Sequence, residues 1–581
     1  MNKNIGDILI TFHVSSETLP SRSSAPWKEV ARFDDAQVHI TEPDEHWRGF
    51  PLRIHQDQCW QIWALGEFYG DKNPDLTKAL ETSADLNGHF LLIGYEVPEK
   101  RWHILTDHFG TVHAYLADDG ARVALGTFSP AVAEAASSKI LDREAVGGFF
   151  SFGFFLDDKT YWVDLRIIKP ATHTILDQHG RLLSERRTWT WSYTPDSHLS
   201  YENAIVEFGK IFETVVRDQV RDQAVALPIS GGLDSRSTLI PLTTQDRDGA
   251  KSLIPFSYGY GEDSVEIAIA KKLAQKRHLN LKTWQIQPYL FEQIEHLTAV
   301  LEGFQDFSQP RQAFVVEELG HRASHVLAAH WGDVWLDDMG FMDAPNQISN
   351  SVLAKKLLHK FTKRGSDLLL NVFTNVLPSA LKGVLERQLE QSLAELTNID
   401  EMDFKIKAWK TQNWAFRWTL ASLRAYQIGL FPILPFYDHR LADFFSRLPT
   451  SYVADRKLQI DYLKHYAPEL ARVKWQPYDA DLYHYQHFKS WLLPKRAVKK
   501  LGSVLSGEKI IQRNWEVQFL NPKGKLGLQD WLLSPGLNIH SLVPRENLEI
   551  FINELYKLPD AANGYAASML LTFSAWLEAY G

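Results

Sequence analysis

The stretch from Val225 to Ile240, VALPISGGLDSRSTLI, constrains the fold of this chain more than any other. A short apolar run leads into a turn with two glycines, and a second apolar run follows. A strand, a glycine turn and a helix in this order are typical of open α/β sheets, which bind ligands beyond the carboxyl ends of their strands. Glycines let the backbone approach an anion, and a helix N-terminus stabilises negative charge. The stretch therefore predicts an anion-binding turn at the edge of a parallel sheet.

Polar groups in the turn indicate which anion it holds. The hydroxyl groups of Ser230 and Ser235 can donate hydrogen bonds to phosphate oxygens, as can the backbone N–H groups of Gly231 and Gly232. Asp234 would repel a bare phosphate, so a carboxylate here indicates an intervening Mg²⁺. A plain turn with Ser and Asp caps is the alternative, because such caps are common. The stretch is not a GxxxxGK[ST] P-loop, a pattern that the chain lacks.

The rhythm of apolar residues changes near residue 195 and predicts two domains, residues 1–195 and 196–581. The first is rich in short runs separated by turns, such as DILITFHV and HFLLIGYE, which predict a mainly antiparallel α+β sandwich. In the second, the runs AVALPIS and SLIPFSYG alternate with helical patterns, which predicts a parallel sheet covered by helices. From about residue 350 onward the pattern is mostly helical. The predicted class is α/β, with a helical lobe.

Composition limits the functions open to the chain. At 581 residues it is too long for one core, and its net charge of −9 argues against a general nucleic-acid binder. The single cysteine, Cys59, excludes internal disulfides and suits a reducing compartment; we interpret it as a small buried hydrophobe. Neither a signal peptide nor an apolar run long enough to span a membrane is evident. We therefore expect a cytoplasmic protein.

The turn SGGLDS resembles the ATP loop of the asparagine synthetase family, whose members cleave ATP between the α- and β-phosphates and pass an activated acyl group to an amine. Further segments resemble the family in the same order along the chain: SLIPFSYG, HWGDVWLDDMG, LPFYDHRLADFFSRLP and PELARVKWQ. The resemblance implies an ATP-pyrophosphatase fold, of the adenine nucleotide α-hydrolase type, for the C-terminal domain. It also implies ATP and Mg²⁺ as cofactors.

The same resemblance implies roles for further residues. Asp333 falls on the family's second magnesium-binding aspartate and would share the ion with Asp234. Lys474 falls on the lysine that stabilises the reacting acyl-adenylate. The end of the SLIPFSYG strand would contact adenosine through Ser257, Tyr258 and Gly259.

Two residues depart from the family's pattern. His330 stands where the family has a glutamate that helps to bind or deprotonate ammonia; it could act as a base or only pack beside Trp331. Arg236 either adds positive charge near the pyrophosphate or points to solvent. Separately, His321 and His325 lie four residues apart on a predicted helical stretch, a spacing that can bind zinc, although a solvated helix face fits them better.

The N-terminal domain resembles the family's glutaminase domain of the Ntn type but lacks its catalytic parts. The family's nucleophile is a cysteine at residue one, whereas Cys59 lies inside the chain. Leu65, in ALGEFYG, replaces the asparagine of the oxyanion hole and cannot donate a hydrogen bond. Asp107 resembles the aspartate that binds the glutamine amino group, and we interpret it as structural. In lacking the cysteine, the chain resembles β-lactam synthetases and lasso-peptide cyclases.

These observations predict an AMP-forming carbon–nitrogen ligase that adenylates a carboxylate, of a small molecule or a peptide, and transfers the acyl group to an amine without glutaminase activity. The alternatives are ammonia-dependent amidation of aspartate or of another carboxylate, such as a uronic acid, and a non-catalytic nucleotide-binding scaffold. Intact Ser230, Asp234, Asp333 and Lys474 speak against the scaffold. Whether the chain forms a homodimer stays open.

Overall fold

The computed structural model describes residues 3–12, 19–83, 86–243, 250–261, 264–342, 348–486 and 513–581. Strands and helices are numbered along the chain. Before residue 195 the strands form two antiparallel sheets. The first sheet has seven strands in the spatial order β1 (Lys3–Ile5), β5 (Phe50–Gln56), β6 (Trp60–Phe68), β7 (Gly88–Glu96), β8 (Arg101–Thr106), β12 (Thr172–Leu176) and β13 (Leu182–Arg187).

The second antiparallel sheet packs on the first. Its six strands run in the order β11 (Leu165–Ile167), β9 (Tyr115–Asp118), β10 (Val123–Gly126), β2 (Ile8–Phe12), β4 (Ala36–Ile40) and β3 (Lys28–Phe33). Aromatic rings join the two inner faces: Phe12 and Phe33 of the second sheet meet Trp102 of the first edge to face, at 6.0 and 5.5 Å between ring centroids. Three helices complete this part: α1 (Leu76–Thr82), α2 (Ser129–Ala135) and α3 (Arg143–Phe152).

A parallel sheet forms the centre of the remaining chain. Its five strands run in the order β16 (Lys282–Gln285), β15 (Ser252–Gly259), β14 (Ala224–Pro228), β17 (His325–Leu327) and β18 (Phe431–Ile433). The apolar run before the glycine turn is β14, the central strand, and its middle residues are buried. Strands covered on both faces read as short apolar runs, which is why the sequence predicted this sheet.

Helices surround the parallel sheet and build the lobe beyond it. They are α4 (Tyr201–Val220), α5 (Asp234–Thr243), α6 (Val265–Lys276), α7 (Ile294–Leu301), α8 (Ala313–Gly320), α9 (Gly332–Trp335), α10 (Asn350–Phe361), α11 (Ser366–Val372), α12 (Leu381–Ala394), α13 (Met402–Lys410), α14 (Leu420–Leu423), α15 (His439–Arg447), α16 (Lys457–Tyr466), α17 (Pro468–Ala471), α18 (Asn514–Phe519), α19 (Pro522–Leu533), α20 (Arg545–Lys557) and α21 (Ala561–Tyr580). A π-helix, Thr411–Thr419, joins α13 to α14.

This architecture confirms the predicted fold class, with antiparallel sheets first, a parallel sheet second and many helices. Two local interpretations were wrong. His325 begins strand β17 instead of lying on a helix, and Cys59 is exposed because it lies in the turn between β5 and β6. No helix in the described ranges combines the length and the apolar character that crossing a membrane requires.

Candidate functional site

The glycine turn is braced by its own serines. The backbone N–H of Ser230 donates to Oγ of Ser235 at 3.1 Å, and that of Gly232 donates to Oγ of Ser230 at 3.2 Å. The two serine Oγ atoms lie 2.8 Å apart. A β-carbon on Gly231 would come within 2.6 Å of Oε1 of Gln476, so this position has no room for a larger residue. The turn therefore lies between the end of β14 and the segment around Gln476.

Asp234 begins helix α5 and lies beside Asp333. Gly332 stands against the Asp234 carboxyl so closely that a β-carbon there would lie 2.7 Å from its Cγ. This contact brings Asp333, in the first turn of α9, next to Asp234. Burial raises the pKa of Asp234, and the neighbouring Asp333 charge adds to the rise, whereas Arg456 and Gln459 oppose it. A buried carboxylate whose pKa is raised by a neighbouring carboxylate marks a place where a cation is stabilised.

Two side chains that the sequence did not single out hold Asp234. Arg456 forms an ion pair with Oδ1 of Asp234, and Nε2 of Gln459 donates to the same oxygen at 3.0 Å. Arg456 also donates to Oε1 of Gln459. Arg456 and Gln459 lie at the start of α16, 222 and 225 residues after Asp234 in the sequence. No local pattern in the sequence marks them.

The backbone of Lys474, and not its side chain, is bound to helix α5. Its Nζ donates to Oδ1 of Asp479 at 3.0 Å, and about half of its side chain is exposed. The segment that carries it is held by Arg236, whose guanidinium donates to the backbone oxygens of Leu470 at 3.2 Å and of Val473 and Lys474 at 2.9 Å. The interpretation that Arg236 points to solvent was therefore wrong, because the side chain is fully buried and connects α5 to the Lys474 segment. That it adds positive charge near the pyrophosphate stays a prediction. Burial lowers the pKa of Arg236 to about 10.

A cavity of about 750 Å³ opens at the carboxyl edge of the parallel sheet. Tyr258 and His330 line it, and Ser257 is buried beside them in β15. His330 faces the cavity, whereas the indole N–H of Trp331 donates to Oγ1 of Thr411 at 3.0 Å. The side chain of His330 is exposed to the cavity, and desolvation by the surrounding protein lowers its pKa to about 4, so its imidazole is neutral near pH 7. The two roles that the sequence left open for His330, a base or packing beside Trp331, stay predictions.

The residues present fit a magnesium ion bound together with phosphates. In the described ranges no group of three or more His, Cys, Asp or Glu side chains is arranged to hold a metal alone. Magnesium is usually bound by one or two carboxylates plus substrate phosphates, and keeps several waters. Asp234 and Asp333 are such a pair, and they lie at the turn whose geometry suits phosphate.

The residues of the N-terminal part that resemble glutaminase segments have well-defined surroundings. Leu65 is fully buried in β6, and its side chain has no polar group. The Asp107 carboxylate accepts hydrogen bonds from the backbone N–H groups of Phe90, Phe109 and Thr111 at 3.1, 2.8 and 3.0 Å, which agrees with the structural interpretation. Glu67, in the same ALGEFYG segment as Leu65, lies 3.2 Å from Nε2 of His325, so it links β6 to β17.

Comparison with known families identifies the part of the chain around this site. Residues 207–467 match the asparagine synthase family model, and this confirms the predicted resemblance to the asparagine synthetase family. The matched residues include Asp234, Asp333 and Arg456. Lys474 lies just beyond the matched residues.

Comparisons with whole proteins add less. No curated protein matches the chain. It is similar to a structure described as the allosteric regulatory enzyme of purine biosynthesis, at 10% identity and a TM-score of 0.19 over 39% of this chain and 55% of that one. It is also similar to glutamine phosphoribosylpyrophosphate amidotransferase from B. subtilis complexed with ADP and GMP, at 9% identity and a TM-score of 0.19 over 50% and 61%. The chain thus spans less than two thirds of either structure.

Proposed function

We propose that this protein is an ATP- and Mg²⁺-dependent ligase that adenylates a carboxylate and transfers the acyl group to an amine. One observation carries the proposal: the fold brings Asp234 and Asp333, from different segments, side by side at the glycine turn. The asparagine synthase match over residues 207–467 supports it. The division into domains 1–195 and 196–581 is part of the proposal; α4 begins at Tyr201, after an irregular segment.

The side chains around the turn have distinct parts in this reaction. The carboxylate oxygen of the acid attacks the α-phosphorus of ATP, and pyrophosphate leaves toward the N–H and O–H donors of Ser230, Gly231, Gly232 and Ser235. Asp234 and Asp333 would hold Mg²⁺, which would neutralise charge on the leaving pyrophosphate. The nitrogen of the amine then attacks the acyl carbon, AMP leaves, and the proton on nitrogen passes to a base.

Lys474 can serve the second step only after it leaves Asp479. Both partners are about half exposed, and such a pair contributes about 0–1 kcal/mol, so releasing it costs little. Arg236 keeps the backbone of Lys474 at the site while the side chain moves. The neutral imidazole of His330 faces the same cavity and is placed to accept a proton from the amine.

Ammonia released from glutamine is not the amine in this proposal. The one cysteine, Cys59, is exposed in the turn between β5 and β6, and Leu65 offers no hydrogen-bond donor. Instead it contacts the synthetase part directly: Asn87 donates to both carboxylate oxygens of Asp438 at 3.2 Å, and Gly153 lines the cavity. We propose that this domain supports the fold and closes the substrate cavity. Free ammonia as the acceptor for aspartate or a uronic acid is the competing proposal.

Pyrophosphate release from ATP tests the proposal. We expect release with a suitable acid, a loss of at least about 100-fold in Asp234→Asn and in Asp333→Asn, and no change in Asp530→Asn, an exposed aspartate on α19. Equal rates in all four proteins, or no release with any acid, would instead support a non-catalytic scaffold. Formation of glutamate from glutamine would contradict the assignment of the N-terminal domain.

A further inference from the structure

The cavity next to His330 is larger and more aromatic than a small amino acid requires. Its volume of about 750 Å³ lies in the range of about 300–1,000 Å³ that takes ligands of drug size. It extends from the sheet edge, at Tyr258 and His330, to Gly153 at the end of α3 and Tyr565 on the last helix. A ligand that fills it would reach from the site of adenylation to the N-terminal domain.

Two tryptophans form an apolar corner in this cavity. Trp414 and Trp418 lie four residues apart on the π-helix and meet edge to face, with ring centroids 6.3 Å apart and ring planes at 77°. π-Helical segments are rare and are frequently found at functional sites. The ring of a ligand can pack against such a corner, because aromatic rings also associate edge to face.

Cations face the same space. In the described part of the chain, neither Lys363 nor Arg311 forms a direct ion pair, although the charge of Asp306 acts on Lys363 and that of Glu266 acts on Arg311. Lys363 lies over the rings of Trp414 and Trp418, at 4.8 and 5.9 Å from Nζ to the centroids. Arg311 lies over Tyr258 at 5.7 Å. Burial lowers the pKa of Lys363, and an anionic ligand in contact with its Nζ would offset this effect.

The cavity wall contains more positively than negatively charged side chains. Asp306 is the one carboxylate that the described residues contribute to the lining. Its Oδ1 accepts hydrogen bonds from the hydroxyl groups of Ser308 and Ser568, both at 2.8 Å, and burial raises its pKa. The lining also includes Arg364, so positive charge dominates it.

The position of Lys363 separates its role from that of the adenylation site. Its backbone N–H donates to Ser151 of α3 at 2.8 Å, and its Cε would lie 3.5 Å from a β-carbon on Gly153. Lys363 therefore lies at the N-terminal-domain end of the cavity. The carboxylate that reacts must instead reach the phosphate turn at the sheet edge, so it cannot also neutralise Lys363.

We propose that the acid activated by this protein is a ring-containing dianion: a carboxylic acid with a flat aromatic or pyranose ring, which packs on Trp414 and Trp418, and a second anionic group that binds Lys363. This inference rests on the proposed ligase function for the identity of the reacting carboxylate. The binding site itself does not depend on ATP.

Calorimetric titration without ATP tests the binding site. We expect 4-carboxyphenylacetate to bind at least about tenfold more tightly than phenylacetate, because a charge-assisted hydrogen bond contributes about 1.5–3 kcal/mol. Glucuronic acid 1-phosphate and glucuronic acid form the matching sugar pair and decide which ring is preferred. Lys363→Met removes the preference for the dianion, Lys363→Arg retains it, and Lys356→Met, on the exposed face of α10, leaves it unchanged.

Three results would overturn the inference: equal affinity for the mono- and dianions of both pairs, an equal loss in Lys356→Met, or no binding of any ring dianion at millimolar concentration. Failure of the ligase proposal is seen separately. Pyrophosphate release with aspartate that is insensitive to Lys363→Met would leave the ligase standing and refute the ring-dianion site. Binding of a ring dianion without any pyrophosphate release would support the ring-dianion site and refute the ligase proposal.

Discussion

At the residue scale, Arg456 combines an unusual backbone with a side chain that contacts the site. Asp455 and Arg456 both adopt the left-handed conformation, with φ of 56° and 62°, which costs non-glycine residues roughly 1–2 kcal/mol each. With this backbone, the Arg456 guanidinium lies against the carboxylate of Asp234. Such strain persists only where the surroundings enforce it, and it is concentrated at functional sites. Arg456 thus supplies a positive charge beside the paired carboxylates.

Replacing Arg456 is therefore expected to make the site depend on an added cation. Arg456→Gln should lower the free energy of unfolding in metal-free buffer by about 1–3 kcal/mol, since Asp234 loses a charged partner. Millimolar Mg²⁺ should then raise the melting temperature of the variant more than that of the original protein. Arg472→Gln, at an exposed position, serves as the control. An identical response to Mg²⁺ in all three proteins would show that Arg456 and the metal do not share a position.

Arg236 offers a second test at this scale, because it acts on Lys474 only through the backbone. Arg236→Met leaves three buried carbonyl groups without their donor and should cost about 1–3 kcal/mol of stability. We expect kcat for pyrophosphate release to fall while KM for ATP changes little. Arg236→Lys should restore only part of the stability, because lysine supplies a cationic donor but cannot reproduce the guanidinium fork. A variant with normal stability and normal kcat would contradict this positioning role.

At the element scale, the strands and helices around the turn could be predicted because each carries its own periodic pattern. Strand β14, helix α5 and strand β15 follow the predicted order, and Asp234 and Asp333 meet as the family resemblance implied. The π-helix and the pairing of Asp234 with Arg456 could not be predicted. They depend on how distant segments pack, and a single sequence carries no signal for such contacts.

A pair of histidines in the first antiparallel sheet makes one prediction about pH. Nδ1 of His103, in β8, lies 3.1 Å from Nε2 of His173, in β12, and burial lowers the pKa of each to about 4. Both are neutral in either state above pH 6.5, the value of an unfolded histidine. As the pH falls from 6.5 to 4, the two histidines bind protons in the unfolded chain but not in the folded sheet. The free energy of unfolding therefore falls.

The double variant His103→Gln/His173→Gln isolates this effect. Its melting temperature should fall less steeply between pH 6.5 and 4 than that of the original protein, although other buried histidines keep part of the slope. The exposed His198→Gln should leave the slope unchanged. Melting curves recorded between pH 6.5 and 4 test this prediction. The same slope of melting temperature against pH in the double variant and in the original protein would refute it.

At the scale of the whole molecule, a buried ionic network fastens the N-terminal sandwich to the helical lobe. Glu302, which follows α7, accepts from Arg22 and from Arg424, both at 2.5 Å, and from the backbone N–H of Ser129 at 2.7 Å. Arg22 also pairs with Asp7 at 3.1 Å, beside β2. The carboxylate therefore joins Arg22 and Ser129, from the part of the chain that forms the antiparallel sheets, to Arg424 of the helical part.

Glu302→Gln should consequently destabilise both parts together. Removing one member of a buried ion network leaves the remaining charges uncompensated, which costs about 3–5 kcal/mol, whereas the exposed pair of Glu29 with Arg32 is screened by solvent and contributes little. Chemical denaturation followed by tryptophan fluorescence measures both, with Glu29→Gln as the matched control. We expect a single transition that moves to lower denaturant in Glu302→Gln and stays in place in Glu29→Gln. Two separate transitions in the original protein would show that the N-terminal sandwich unfolds independently, and that the network does not couple it to the lobe.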